Sequence, residues 1–245
     1  MCTSDTSYSF LRQVGMPVDV FFSVDPQSDT LRHFSGAGDE KALLIALPTM
    51  DASSLQRYSG DKMCVLQKAN TVTSTIEEFL PQKGYTFSGG SVSCIGLDLM
   101  IQLGCNPIIF VGMDYSFPGN KFYSNSTVEM KQWHNHVSRF NSLEMMHDEV
   151  IREQKIKHVV DKAGKKVLTH QTLYLYLHQV EELVKANPTV RFYNFLSQGA
   201  KIQGAEDIAS AEDLAVILTH EISKDITFSQ QEEDVQLKNK ILERV

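Results

Sequence analysis

Three groups of residues in this chain have the types and spacing to do chemistry. The first is Ser88-Gly89-Gly90-Ser91, directly before a run with apolar residues at helical spacing. A helix start leaves backbone N–H groups without intrahelical partners, and its dipole favours negative charge. Glycines let an anion approach that backbone closely. The segment therefore reads either as a cradle for phosphate or carboxylate, or as a turn that delivers the chain into its helix with Ser91 as N-cap. It is neither G-x-G-x-x-G nor a Walker loop, so it matches no named nucleotide motif. The second group is Asp25 and Asp114, each following an apolar, strand-like run. In open parallel sheets, ligands bind beyond the carboxyl ends of the strands, so the two acids are expected to face one crevice. There they could bind hydroxyls, act as a base, or hold a divalent cation such as magnesium. An acid in that position can equally cap the next turn. The third group is Asn194, which closes a late strand, and Gly199-Ala200-Lys201-Ile202-Gln203-Gly204 after it. Lys201 could neutralise a phosphate there or remain solvated.

Other residues argue for less. His134 and His136 would lie on different faces of a helix, and no H-E-x-x-H or zinc-type Cys/His spacing occurs. His33 could reach the Asp25 cleft as a ring that titrates near neutrality, or lie on the surface. No G-x-S-x-G elbow marks a hydrolase. The cysteines are Cys2, Cys64, Cys94 and Cys105. None form a C-x-x-C pair, and the last three sit in or beside apolar runs, which reads as buried free thiols in a reducing cytosol.

The elements that must position these groups follow from patterning. Val18 to Val24 is β-branched and aromatic and stops at Asp25-Pro26, because proline cannot donate to a sheet ladder. Leu43 to Leu47 is a short apolar run of the kind buried on both faces of a parallel sheet. Met63 to Gln67 reads as a third strand. Val92, Ile95, Leu99 and Leu103 form the stripe of an amphipathic helix, and Gly104 stands where a C-cap glycine belongs. Ile108 to Val111 is the next strand. Lys131 to Gln154 reads as one or two surface helices. The stretch His158 to Leu168 reads as a hairpin around Lys162-Ala163-Gly164. Thr172 to Ala186 is a helix that Asn187-Pro188 ends, Val190 to Asn194 a strand, and Ser210 to Ile222 a helix that Ser210 caps, with Asp213 three residues on.

This alternation predicts an α/β fold. Length fits one domain: 245 residues, read as residues 1–228 followed by a charged tail, 229–245. Apolar residues make up 42% of the chain and charged residues 22%, ordinary values for a globular protein. Lys and Arg total 23 and Asp and Glu 30, a net charge of −7 that argues against a general nucleic-acid binder. The N-terminus lacks the basic start and apolar stretch of a signal peptide. The longest apolar runs fall far short of the roughly 20 residues that span a bilayer. A soluble, cytoplasmic protein without membrane contact is expected.

Several segments resemble one family. Pro17 to Gln27 resembles the P-D-x-x-x-S-x-D-P-Q element of the motility accessory factor (Maf) glycosyltransferases, whose superfamily includes the hydroxymethylpterin diphosphokinase MptE. Gly89-Gly90-Ser91-Val92, Leu97-Asp98-Leu99 and Leu103 to Asp114 resemble its G-G-S-V, A-L-D-L and L-G-C-N-P-I-I-F-V-G-x-D core. Asp161 to Thr169, Phe192-Tyr193-Asn194 and Gly199 to Gly204 resemble later elements. The likeness runs over roughly residues 5 to 210. It implies a Rossmann-like, mostly parallel doubly wound sheet with helices on both faces, binding a nucleotide-linked or phosphorylated substrate. The Maf branch implies transfer of a nonulosonic acid from a CMP-linked donor to a flagellin Ser or Thr. The MptE branch implies transfer of diphosphate from ATP to a pterin alcohol with magnesium. The Maf reading would place Asp25, Gln27, Gly89, Gly90, Ser91 and Asp114 along the donor cleft, with Asp114 and Asp25 as the catalytic acids, either of them the metal contact if magnesium is used, and Asn194 and Lys201 as further binding residues. Family members carry a G-x-G-P-S-L loop upstream of the segment seen here as Asp5-Thr6. Its absence reads as N-terminal truncation or divergence, and leaves a non-catalytic, flagellin-associated binding module as a third expectation.

Overall fold

Alternate residues of a strand point to opposite faces, so a run that is apolar throughout must be covered on both sides. The computed structural model describes residues 1–33, 41–68, 71, 74, 84–87, 89–122, 128–195 and 197–219. The expectations placed on Ser88 and on the tail 229–245 lie outside them. The chain opens with strand β1 (Cys2–Ser4), helix α1 (Asp5–Gln13), β2 (Val20–Ser23), a 3₁₀ turn (Ser28–His33), β3 (Leu43–Ala46), α2 (Ala52–Arg57) and β4 (Lys62–Cys64). These four strands form one parallel sheet in sequential order, with Cys2 opposite Val20, Phe22 opposite Ile45 and Ala46 opposite Cys64. Phe21, Leu44 and Ala46 face a cluster with Tyr8, Met50 and Tyr58. Tyr8 stacks on Phe21 at 4.1 Å between ring centroids, and the Tyr58 hydroxyl donates to the Ala42 carbonyl. Phe22, Leu43 and Ile45 face the opposite side, where Ile95 covers them.

The expected strand Met63 to Gln67 is two pieces: β4 ends at Cys64, and β5 (Leu66–Gln67) pairs in parallel with β6 (Tyr85–Thr86). Then come α3 (Val92–Gln102), β7 (Ile108–Val111), a 3₁₀ turn (Pro118–Asn120), α4 (Val128–His134), α5 (Leu143–Arg152), β8 (Ile156–Val160), β9 (Lys166–His170), α6 (Gln171–Ala186), β10 (Phe192–Phe195), β11 (Glu206–Ile208) and α7 (Ala211–Ile217). β11, β10 and β7 form a second parallel sheet, and β8 and β9 are the expected hairpin, antiparallel around Gly164 at φ +78°. Ser210 caps α7 by accepting from the Asp213 N–H while its hydroxyl donates to the Asp213 carboxylate. The expected α/β class holds. Its parallel strands are divided among separate hydrogen-bonded ladders, of four, three and two strands among the described residues.

α3 binds these ladders together. Its stripe is wider than an amphipathic one. Val92, Ile95, Leu99 and Met100 pack toward the first sheet, while Cys94, Leu97 and Ile101 pack toward α6 and the second sheet with Phe110, Val180 and Phe192. A helix apolar on opposite faces has to be buried between two layers. Gly96 permits the closest approach: a Cβ there would meet the Phe22 ring at 3.0 Å. Leu103, expected on the buried stripe, is 67% exposed. It is the C-cap residue, and the chain turns away through Gly104 at φ +78°. Cys64, expected buried, is also exposed; only Cys94 is fully buried, and its thiol is pushed up to about 12 by desolvation.

Residues 117–122 and 128–152 build a smaller layer against the hairpin. His147 Nδ1 accepts from the Phe122 N–H at 3.0 Å, and its ring meets Trp133 edge-on. His170 Nδ1 caps α6, accepting from Thr172 and Leu173. Burial holds both imidazoles below their ordinary range, for His147 with help from Lys121.

Two measurements test this arrangement. Gly96→Val drives a branched side chain into Phe22 and is expected to cost about 1–3 kcal/mol in urea denaturation. A neutral change in midpoint would mean that α3 does not seat directly on β2. The lowered histidines make unfolding bind protons, so their stabilisation is complete above about pH 6.5 and is lost as pH falls through the lower folded-state values. The melting temperature should drop between pH 7.5 and 5.5, and His147→Gln with His170→Asn should flatten that drop.

Candidate functional site

The first turn of α3 is where the strand ends meet. β6 delivers the chain into Gly89 and Gly90, and Asp98 on α3 reaches back to accept from the Phe87 N–H at 2.8 Å. Gln102 donates both to Asp98 and to the Tyr85 carbonyl, which ties the helix to β6. Gly89 is buried: a Cβ there would stand 2.7 Å from Cys94 Cβ. Gly90 lies at φ +67°, a conformation that suits glycine. Ser91 occupies the N-cap position without capping the backbone; its hydroxyl instead shares a 2.7 Å hydrogen bond with Ser93 Oγ. Ser93 in turn meets the Tyr115 hydroxyl at 3.3 Å. Beyond β7, therefore, Tyr115 closes a chain of three hydroxyls that begins at Ser91.

Tyr115 holds a left-handed backbone, φ +48°, unusual for a residue with a large side chain. Its carbonyl accepts from the Thr169 hydroxyl at 2.7 Å. Burial raises its phenol well above the ordinary range, so the group stays protonated and serves as a hydrogen-bonding group rather than a base. Asp114, the expected acid, is half-buried. Its Oδ1 accepts from the Ser197 hydroxyl and the Gln198 N–H, both at 3.3 Å, and its carbonyl accepts from the Ala200 N–H at 2.7 Å. Gly199 makes this fit possible, because a Cβ there would stand 2.2 Å from the Asp114 carbonyl oxygen. The structure thus joins Asp114 to the loop that follows β10.

Asp25 and Gln27 stand at the end of β2 in the first sheet. Both are exposed, and Asp25 Oδ1 accepts from the Gln27 N–H at 3.0 Å, the turn-capping arrangement. Val24, beside Asp25, and Val92, beside Ser91, both pack against the apolar cluster between the first sheet and α3. Asn194 is 1% exposed, on the core-facing side of β10; its amide donates to Asp207 at 3.5 Å, and its Oδ1 has no partner among the described residues. Lys201 has an exposed side chain, and its N–H donates to Val160 at 2.8 Å. His33 is buried at the end of its 3₁₀ turn rather than on the surface. Among the described residues no group of three or more His, Cys, Asp or Glu side chains could hold a metal ion. Asp25 and Asp114 suit a cation only as single ligands sharing it with substrate phosphates.

Sequence reasoning missed Ser93, Tyr115, Ser197 and Asp98 as parts of this site, and placed Gly199 at its edge without its contact with Asp114. It also missed Asp5, a carboxylate 6% exposed that accepts from the fully buried Ser23 hydroxyl at 2.6 Å and from the Thr6 N–H at 2.7 Å. The usable signals were Asp5 at a strand end, and Ser93 two residues after Ser91 where a first helical turn presents its side chains.

The parallel α/β fold thus sets glycines, hydroxyls and acids at strand ends, where such folds bind ligands. Residues 1–120 match the family described as 6-hydroxymethylpterin diphosphokinase MptE-like. A comparison with curated proteins returns no match. Among solved structures, the chain is similar to a Maf glycosyltransferase from Magnetospirillum magneticum AMB-1, at 14% identity and a TM-score of 0.61, over 99% of this chain and 32% of that one. The chain spans about a third of the length of that relative, and the likeness is one of fold. The MptE-like match thus covers the first 120 residues, and the Maf likeness extends the shared fold over nearly the whole chain.

Gly199→Ala is expected to push the Ser197–Ala200 loop off Asp114 and to lower stability by about 1–3 kcal/mol, the scale of overpacking. An unchanged melting temperature would mean that the loop does not rest on the Asp114 backbone.

Proposed function

We propose that the chain is a transferase domain whose Rossmann-like fold receives a phosphate-bearing donor at the first turn of α3. Its reaction is of the Maf type: a nonulosonic acid passes from a CMP-linked donor to a Ser or Thr hydroxyl of a protein such as flagellin. The observation that carries this reading is the meeting of the glycine turn after β6 with Tyr115 beyond β7 at the first turn of α3, around Gly89, Gly90, Ser91 and Ser93, with Val24 of the β2 end and Val92 packed on one apolar cluster. The fold likeness to a Maf glycosyltransferase supports it.

In this reading, the bond from the anomeric carbon to the CMP phosphate oxygen breaks as the bond to the acceptor oxygen forms. Charge develops on the leaving phosphate. The N–H groups at the start of α3 stabilise it where it develops, at the positive end of the helix dipole. Asp114 takes the acceptor proton. Asp25 and Gln27 bind donor hydroxyls from the β2 end, and Asn194 and Lys201 contribute from the β10 side.

The match of residues 1–120 to the MptE-like family favours a second reading, transfer of diphosphate from ATP to hydroxymethyl-dihydropterin. Magnesium would then neutralise the phosphates, with Asp25 or Asp114 as its protein ligand. Isothermal titration separates the two. The sugar reading expects CMP to bind without magnesium. It also expects Asp114→Asn to leave CMP affinity nearly unchanged while lowering kcat about 10²–10⁴-fold. Binding of ATP only with magnesium, and none of CMP, assigns the site to diphosphate transfer. Binding of neither removes both readings.

A further inference from the structure

A group of sulfurs lies at the other end of α3, away from the proposed donor site. Cys2 opens β1, Met100 is in the last turns of α3, and Cys105 follows the helix cap. Cys2 Sγ stands 3.2 Å from Met100 Sδ, and Cys105 Sγ stands 3.9 Å from the same sulfur. We propose that Cys2, Met100 and Cys105 form a binding site for monovalent copper.

Local structure explains half of the cluster. The Gly104 N–H donates to the Ile101 carbonyl at 2.9 Å and the Cys105 N–H to the Met100 carbonyl at 3.0 Å, the paired bonds of a Schellman cap. That motif sets the residue after the glycine against the one five before it, which holds Cys105 on Met100. It does not bring Cys2. Cys2 arrives on a separate strand, held in register opposite Val20. Two thiols from distant parts of the chain thus meet at one thioether.

The chemistry of the set selects the ion. Thiolate and thioether are soft ligands that favour Cu(I). Structural zinc takes four Cys, His or carboxylate ligands, and among the described residues no group of even three such side chains could hold a metal ion. Sulfurs each about 2.3 Å from a common trigonal ion stand about 4 Å apart; the Cys105–Met100 pair already has that spacing at 3.9 Å, and the 3.2 Å Cys2–Met100 pair has to open to reach it. Methionine's flexible, polarizable side chain can supply the remaining adjustment. Cys2 is exposed and Cys105 partly so, which leaves the ion a path in. On binding, each thiol releases its proton to solvent, and two thiolates with one Cu⁺ carry a net charge of −1.

The test uses the full chain, reduced and without oxygen, titrated with Cu(I) against the coloured chelator bicinchoninate. The wild-type chain should withhold one Cu(I). Met100→Leu, which preserves volume and the fold, and Cys105→Ser should each weaken binding about tenfold or more, the scale at which even outer-shell partners act. Cys64→Ser, on β4, should bind as the wild type does. Circular dichroism checks that each variant is folded. A wild-type chain that yields all its copper to the chelator overturns the proposal. So does a Met100→Leu chain that binds as tightly as wild type, or a Cys64→Ser chain that binds more weakly.

Discussion

The fold depends on a helix that has no solvent-facing side along its middle. Cys94, Ile95, Gly96 and Leu97 of α3 are consecutive and all buried, which places apolar surface all the way round one turn. Such a turn is stable only between two apolar layers, and each layer needs it as a cover. Burying a Leu or Ile side chain contributes about 1.5–3 kcal/mol. Ile95 spends its contribution on the first sheet and Leu97 on the second, so neither sheet is complete without the helix. Gly96 removes the one side chain that would hold Phe22 away.

The position of the candidate site follows from that constraint. A helix trapped between parallel ladders runs against the strands, so its first turn comes to rest at their carboxyl ends, where parallel folds place ligands. Hydrogen bonds then set the details. Asp98 holds the chain before Gly89, Ser93 meets Tyr115, and Thr169 of the hairpin holds the Tyr115 carbonyl. The loop after β10 lies on the Asp114 backbone without a side chain in between at Gly199. Four segments distant in sequence are thereby fixed around one helical turn. Most of their buried polar groups are paired, as close packing requires. The orphan Oδ1 of Asn194 is the exception on the core-facing side of β10.

The other end of the helix has a different character. Its carbonyls are closed by Gly104 and Cys105, and its sulfurs gather at the edge of β1. Polar hydroxyls at the start and soft sulfurs at the end give the two termini of one helix distinct chemical preferences.

Much of this was legible in local pattern. Ile108–Val111 as a strand, the hairpin around Gly164, the helix ended by Asn187, the Ser210 cap and the C-cap at Gly104 all follow from propensity, turn chemistry and periodicity acting over a few residues. So did the placement of glycines and Ser91 before α3. Leu103 was misjudged because helical spacing continues past the point where a cap ends the helix. His33 and Cys64 were misjudged because one residue type occurs in both settings, and burial is decided by what packs on it. The sequence alone determined the α/β alternation and the cap and turn positions, and it put the two glycines and Ser91 directly before α3. Tertiary structure decided that Asp25 caps its own turn, that Asp114 takes the β10 loop as its partner, that Tyr115 joins the serines of α3, and that Cys2 meets Met100. The reason is that each of these pairings spans separate strands or loops, and a contact of that kind exists only once the two sheets have closed on the helix between them.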